Sequence, residues 1–300
     1  MRGLFLLHAM PQFVTNLAAK FIGLYINILS YLAPEAANSL AYKYFSQPMY
    51  GKLNKHKLPI ILRQAQQETI LHNDSAFQAY VWPGNETKVL LVHGWESNAA
   101  RWKLLISYLR KSGCTIIALD APAHGLSDGK EFTIPRYAEY VNVLVHKYKP
   151  QYLVGHSLGG ATVLYYQAHY PNPFIEKMVV LGAPSEFNAI LYNYNKMLGL
   201  SKRVFSRLNA YCIECYGMDL KDFSGAAFAK KINIPGLIVH DRADETVAYK
   251  EGKLIADAFP NAAFITTKGM GHRLHDDGLY NRIYSFLFDE KLMLSNEEIA

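Results

Sequence analysis

Apolar positions follow different periods in different parts of the chain. Over residues 13–33 they recur at helical spacing. Val14, Leu17, Ala18, Phe21, Leu24, Tyr25, Ile28 and Leu32 form one stripe, Asn16, Lys20, Gly23, Asn27 and Ser30 form the opposite one, and Pro34 ends the run. A membrane-spanning helix is apolar all round for about 20 residues. This one is two-faced, so it is expected to pack on the protein, with a membrane surface as the alternative partner of residues 13–33. Met1–Leu7 is too short an apolar run, without a small-residue cleavage site, to read as a signal peptide. Residues 1–65 as a whole read as a helical extension, broken near Pro48 and Gly51.

The period then changes. Glu68–His72 and Ala76–Trp82 flank the turn-forming Asn73-Asp74-Ser75, which predicts a β-hairpin. Short apolar runs follow at Lys88–His93, Thr115–Asp120, Tyr152–Gly155, Met178–Leu181, Gly236–His240 and Ala263–Thr266. Stretches of helical period such as Ala100–Lys111 and Leu158–His169 separate most of them. Continuous apolar strands alternating with helices predict an α/β fold with a parallel sheet covered on both faces, and chemistry in such sheets gathers at the carboxyl ends of the strands. Residues 66–184 and 235–288 form this predicted core. Residues 185–234, too long for a single crossover and rich in aromatics, predict a small helical cap over the strand ends, and residues 289–300 a polar tail.

Composition narrows the class further. Half of the 300 residues are apolar and 19% are charged, which excludes a disordered or collagen-like chain. Three cysteines, Cys114, Cys212 and Cys215, are too few and too odd for a disulfide scaffold and fit a reducing, cytoplasmic setting. The net charge is +6, with Lys52, Lys55, Lys57 and Arg63 in one cluster and Lys202 and Arg203 in another. No nucleic-acid motif accompanies them, so they read as solvated surface and nucleic acid is not an expected partner.

The chemistry is concentrated at Gly155-His156-Ser157-Leu158-Gly159. A serine hydroxyl needs an adjacent base to become a nucleophile, and it must stand clear of the backbone for base and substrate to reach it together. A sharp strand-to-helix turn does this, and G-x-S-x-G placed directly after one strand and before one helix is its signature. The residue after the nucleophile, Leu158, offers one backbone N–H to a developing oxyanion.

With these residues in view the chain resembles the α/β-hydrolase superfamily over about residues 66–288. It is similar in particular to bacterial esterase-like hydrolases with an N-terminal helical extension. His93-Gly94-Trp95 matches the family's His-Gly turn. Asp120-Ala-Pro-Ala-His-Gly-Leu-Ser127 matches a loop usually written Asp-x-Pro-Gly-His-Gly-x-Ser, with Ala123 in place of a glycine. The resemblance implies an eight-stranded, mostly parallel sheet whose second strand is antiparallel, and Trp95 as the second oxyanion donor. It implies His272, after the last apolar strand in Gly269-Met270-Gly271-His272, as the base, with His275 as competitor and His156 directed away from the serine. It also implies Asp244, in His240-Asp-Arg-Ala-Asp-Glu-Thr-Val247, as the acid. Asp241 stands where the family has glycine and is expected to brace the loop, with Arg242 as its candidate partner, while Glu186 is a further candidate acid. The expected activity is cleavage of carboxylic esters of short to medium acyl chains through an acyl-enzyme, with no cofactor or metal. The same triad serves thioesterases, lactonases, amidases and carbon–carbon bond hydrolases, and a ligand-binding homologue without turnover is the non-enzymatic alternative.

Overall fold

The computed structural model describes residues 12–216, 223–289 and 297–299; the side chains of residues 12–16, 215, 216 and 297 lie outside the description, and so does the Met1–Leu7 segment. In chain order the elements are α1 (Gln12–Leu32), α2 (Pro34–Ser46), α3 (Ile60–Arg63), β1 (Gln66–His72), β2 (Ser75–Trp82), β3 (Asn85–Val92), α4 (Lys103–Leu109), β4 (Cys114–Leu119), α5 (Ile134–Tyr148), β5 (Tyr152–His156), α6 (Leu158–His169), β6 (Lys177–Leu181), α7 (Phe187–Leu198), α8 (Lys202–Tyr216), α9 (Gly225–Ala229), β7 (Gly236–Asp241), α10 (Tyr249–Ala258), β8 (Ala262–Thr267), α11 (Asp277–Phe288) and β9 (Glu297–Ile299). The described residues divide into two compact units, one through Ser46 together with Phe187–Phe223, the other Gln47–Glu186 together with the chain from Ser224 onward.

The larger unit is built on one sheet in the order β1-β2-β4-β3-β5-β6-β7-β8-β9. β2 runs antiparallel to both of its neighbours, and every other pair is parallel. The hairpin turns at Asn73, whose φ of 51° is left-handed, a conformation asparagine tolerates better than most residues. Side chains alternate across the sheet. Val89, Leu91, Ile116, Val154, Val179 and Val239 face α4 and α11 in one apolar cluster. Alternation sends Leu90, Ile117, Leu153, Val180 and Ile238, all buried, to the opposite face. Among the described residues the sheet has nine strands where eight were expected, because Glu297–Ile299 pairs with Ile265–Thr267 at the β8 edge. Two glutamates and one isoleucine are too short a run to carry an alternation from which a strand could be read.

Residues 47–65 fall with the sheet and not with the N-terminal helices. Lys52 bridges Gly125, the Leu53 N–H donates to the Gly125 carbonyl at 3.0 Å, and Leu58, Ile61 and Leu62 join the core. The Trp82 indole N–H donates to the Ile61 carbonyl at 3.2 Å. On leaving and re-entering the sheet unit, the chain pairs with itself at Glu186 and Ser224.

In the smaller unit, α1 packs with α7 and α8, and α2 packs with α8. Phe187, Tyr194, Leu198, Leu208 and Phe223 are buried, and Phe45 sets its ring edge-on to both Phe187 and Tyr194. The surprise is the face of α1 that docks. Its polar and small stripe packs inward. A Cβ on Gly23 would lie 1.9 Å from the Leu198 carbonyl oxygen, so the helices touch there only because glycine has no side chain. Asn27 donates from Nδ2 to the Gly199 carbonyl at 2.9 Å and accepts at Oδ1 from the Ser201 N–H at 2.7 Å. Ser30 and Ile26 are buried beside it. Leu17, Phe21, Leu24, Tyr25, Ile28 and Leu32 are exposed. The period identified the two stripes, but a docking stripe made by one close approach and one doubly bonded amide reads as a solvent face in sequence. The Val14 and Asn16 side chains are outside the described residues.

Candidate active site

The candidate site is assembled at the carboxyl ends of neighbouring strands of the larger unit. β3 lies beside β5, and β7 beside β8, with β6 between the two pairs. The turn after β3 therefore meets the turn after β5, and the loops after β7 and β8 meet each other over the end of β6. A Cβ built on Gly182, just past β6, would touch Asp244 Oδ2 and His272 Nδ1 at 3.6 Å each.

Ser157 joins β5 to α6 with φ 56° and ψ −126°, a left-handed conformation that a non-glycine residue holds at a cost of about 1–3 kcal/mol. The surroundings enforce it. A Cβ on Gly155 would meet the Gly159 carbonyl oxygen at 2.5 Å, and one on Gly159 would meet the Val92 oxygen at 2.2 Å. Both glycines are thus required by close approach, which lets the strand turn at once into the helix. The Ser157 N–H is anchored to the Leu181 carbonyl at 2.8 Å. Its hydroxyl makes no cap to the helix and lies instead 3.0 Å from His272 Nε2.

His272 Nδ1 lies 2.7 Å from Asp244 Oδ2. A carboxylate only accepts, so Nδ1 carries the proton and Nε2 is left to accept from the Ser157 hydroxyl. Asp244 Oδ1 accepts from the N–H groups of Thr246 and Val247, both at 2.8 Å, and His240 Nε2 is 3.4 Å from Oδ2. Burial disfavours charge on this carboxylate. Hydrogen bonds from His240 and His272, the His272 charge and the Val247 N–H outweigh that penalty and hold the acid below the usual carboxylate range.

The loop carrying His272 is tethered at three successive points. Asp241 accepts from the Met270 N–H at 2.9 Å and from the Thr267 hydroxyl at 2.6 Å. His156 Nε2 donates to the His272 carbonyl at 2.8 Å, and Arg101 donates to the Arg273 carbonyl at 3.1 Å. Burial, the Arg101 charge and the His272 ring keep His156 neutral by lowering its pKa far below the ordinary imidazole value. Arg242 does not pair with Asp241. It extends to Glu298 and over the Tyr249 ring, so Asp241 spends its oxygens on loop N–H and hydroxyl groups. His275 contacts the Tyr280 hydroxyl, and Glu186 accepts from Ser185 and Ser224; neither joins the Ser157 cluster.

Gly94 presses on the elbow, since a Cβ there would lie 2.8 Å from Ser157 Cβ and 3.3 Å from the Leu158 nitrogen. Leu158 opens α6, where N–H groups have no acceptor within the helix. The peptides on either side of Trp95 are both pinned. His93 Nδ1 donates to the Gly94 carbonyl at 2.7 Å while its Nε2 accepts from the Ala121 N–H at 2.9 Å. The Glu96 N–H donates to His124 Nε2 at 2.9 Å, and His124 Nδ1 donates to the Pro122 carbonyl at 2.8 Å. Both imidazoles must be neutral to accept in this way. Burial drives His93 far below its ordinary pKa and pushes His124 down to about 4. Asp120 ties the same loops together, accepting from the Tyr80 hydroxyl and the N–H groups of Ala99 and Leu126, each at 2.9 Å. The sequence pointed to Trp95 and Leu158; the imidazoles that fix the turn between them were in view only as parts of a motif.

A family model described as the alpha/beta hydrolase fold matches residues 87–200. Solved structures superpose over most of the chain: Est1E from Butyrivibrio proteoclasticus, solved with ferulic acid bound, has a TM-score of 0.60 at 19% identity, covering 73% of this chain and 97% of its own. The chain has the α/β-hydrolase fold. The match to the α/β-hydrolase model spans the elbow and the Trp95 turn and ends before Asp244 and His272. A meta-cleavage product hydrolase from Pseudomonas fluorescens shares the fold with a TM-score of 0.58 at 17% identity, covering 75% of this chain and 98% of its own. Among relatives by sequence, the bifunctional esterase/perhydrolase of Acinetobacter calcoaceticus is 26% identical over 242 residues, covering 63% of this chain and 86% of the relative. A monoacylglycerol lipase of Mycolicibacterium smegmatis is 32% identical over 106 residues, 32% of this chain and only 37% of its own length.

Proposed function

We propose that this chain is a serine hydrolase that cleaves carboxylic esters of short to medium acyl chains through an acyl-enzyme intermediate. One observation carries the reading: a hydroxyl on a strained elbow lies 3.0 Å from an imidazole nitrogen whose partner nitrogen is 2.7 Å from a buried carboxylate. Ser157 Oγ attacks the ester carbonyl as its proton passes to His272 Nε2. The carbonyl oxygen becomes an oxyanion, held by the N–H groups of Trp95 and Leu158. Asp244 keeps the imidazole in the accepting tautomer and stabilises the imidazolium that forms. That imidazolium then protonates the departing alkoxide, which leaves as the alcohol. A water gives its proton to Nε2, attacks the acyl carbon, and releases the acid and the Ser157 hydroxyl.

The esterase and monoacylglycerol lipase relatives support ester cleavage as the reaction. The preference for short to medium chains rests on the modest Phe187–Phe223 segment, whose buried aromatics are largely consumed in packing its own unit. The sparse cysteines favour a cytoplasmic setting. Among the described residues no helix is long and apolar enough to cross a membrane. Turnover of p-nitrophenyl acetate by the wild type, and its loss in Ser157→Ala with the fold retained, tests the proposal. Equal turnover by a pure Ser157→Ala preparation would refute it.

A further inference from the structure

The inverted packing of α1 leaves an apolar surface with a defined shape. At 3.6 residues per turn, Tyr31, Leu24, Leu17, Ile28, Phe21, Leu32, Tyr25 and Ala18 follow one another around roughly 140° of the helix. The large ones are exposed, from 45% for Leu17 to 80% for Leu32. Single exposed apolar residues are ordinary, but a continuous face of this size marks an interaction surface.

We infer that this face lies on the surface of an anionic lipid bilayer. Charge supports that occupant. α1 contains no acidic residue, and one edge of the apolar arc is lined by cations. Lys20 follows Tyr31 on that edge, its ammonium 2.6 Å from the Lys196 carbonyl, and the Arg203 guanidinium stacks 5.1 Å from the Tyr31 ring. Lys202 is exposed beside Arg203. An apolar face with aromatic residues at its margin and a cationic flank is the composition that seats a helix at the headgroup boundary. The face is also broad. A second copy of the helix pairing through a coiled-coil seam needs only a narrow stripe, here Leu17, Phe21, Leu24, Ile28 and Tyr31, and leaves Tyr25 and Leu32 in water. A flat bilayer covers all of them. The packed stripe explains why the helix does not roll over to hide them, since Gly23 and Asn27 lock its opposite side to α7 and the residues after it.

The test is flotation of the full chain with phosphatidylcholine vesicles, with and without phosphatidylglycerol. The wild type floats with the anionic vesicles, and less so as salt is raised. Phe21→Ser/Leu24→Ser/Ile28→Ser lowers the partition coefficient at least about a hundredfold. Lys202→Gln/Arg203→Gln lowers it about tenfold on anionic vesicles only. Circular dichroism and hydrolysis of a water-soluble ester stay as in the wild type in both variants. Ile28→Cys carrying a polarity-sensitive bimane gives a second readout, red-emitting in buffer and blue-shifted on anionic vesicles. Wild-type flotation by the triple serine variant, or an unmoved label, overturns the inference. A concentration-dependent dimer that the same substitutions dissociate, without flotation, would assign the face to a second copy. Label emission already blue in the dilute monomer would assign it to another part of the chain.

Discussion

Replacing Asp244 by asparagine changes one atom and should nearly abolish turnover. Asp244 Oδ1 holds the Thr246 and Val247 N–H groups at 2.8 Å, and those backbone donors cannot change. The new amide keeps both bonds only with its carbonyl in that place, which turns its NH2 toward His272 Nδ1, where Oδ2 lies at 2.7 Å. Two donors then face each other. The imidazole escapes by moving its proton to Nε2, and so presents a donor to the Ser157 hydroxyl, 3.0 Å away, where it had presented an acceptor. Such a reversal in serine triads lowers kcat about 10⁴-fold, or about 5 kcal/mol of transition-state stabilisation. Asp241→Asn provides the contrast. It disturbs the bonds to Ala243, Met270 and Thr267, which should cost about 1–3 kcal/mol of stability and less than about tenfold in kcat. Steady-state kinetics on p-nitrophenyl acetate, with urea unfolding of both variants, measures the two effects. Turnover by Asp244→Asn within a few-fold of wild type would refute the reasoning, and so would a larger loss of turnover in Asp241→Asn.

The neutral His124 makes stability depend on acid. Its folded pKa, about 4, lies below the ordinary value of 6.5, so the stabilisation is complete above pH 6.5 and is lost as pH falls through 4, by at most about 3 kcal/mol. Urea unfolding between those limits should show a slope that His124→Gln flattens; an unchanged slope would clear His124. Gly94→Ala puts a methyl 2.8 Å from Ser157 Cβ, and it should cost about 1–3 kcal/mol of stability with more than about tenfold loss of kcat, read by the same two assays. Across a p-nitrophenyl ester series, kcat/KM should rise by up to about fourfold per methylene and peak at or below about eight carbons, whereas a maximum at twelve or more would remove the chain-length proposal.

Periodicity carried the sheet well, because buried parallel strands are apolar on both faces and stand out from the helices between them. Leu158–His169 has the same limits in the sequence reading and in the structure. Ser157 was legible because the steric need for Gly155 and Gly159 is local. Asp244 and His272 were found through the family pattern of the loops after β7 and β8, which the structure places together. The tethers of that loop were not legible. His156 and Arg101 bond to backbone carbonyls 116 and 172 residues away, and a carbonyl has no sequence identity to recognise. The orientation of α1 escaped for a related reason. Its period tells which residues share a face, but the choice of face was made by Gly23 and by the two bonds of Asn27, small terms that the pattern does not weigh.

Whether Ser157 is a nucleophile activated by His272 is tested most directly by fluorophosphonate labelling. Mass spectrometry of the labelled protein should find a single adduct on the peptide containing Ser157. The adduct should be absent from Ser157→Ala and should form at least about a hundredfold more slowly in His272→Ala. Labelling of Ser157→Ala at the wild-type rate, or an adduct carried by another residue, would contradict the account.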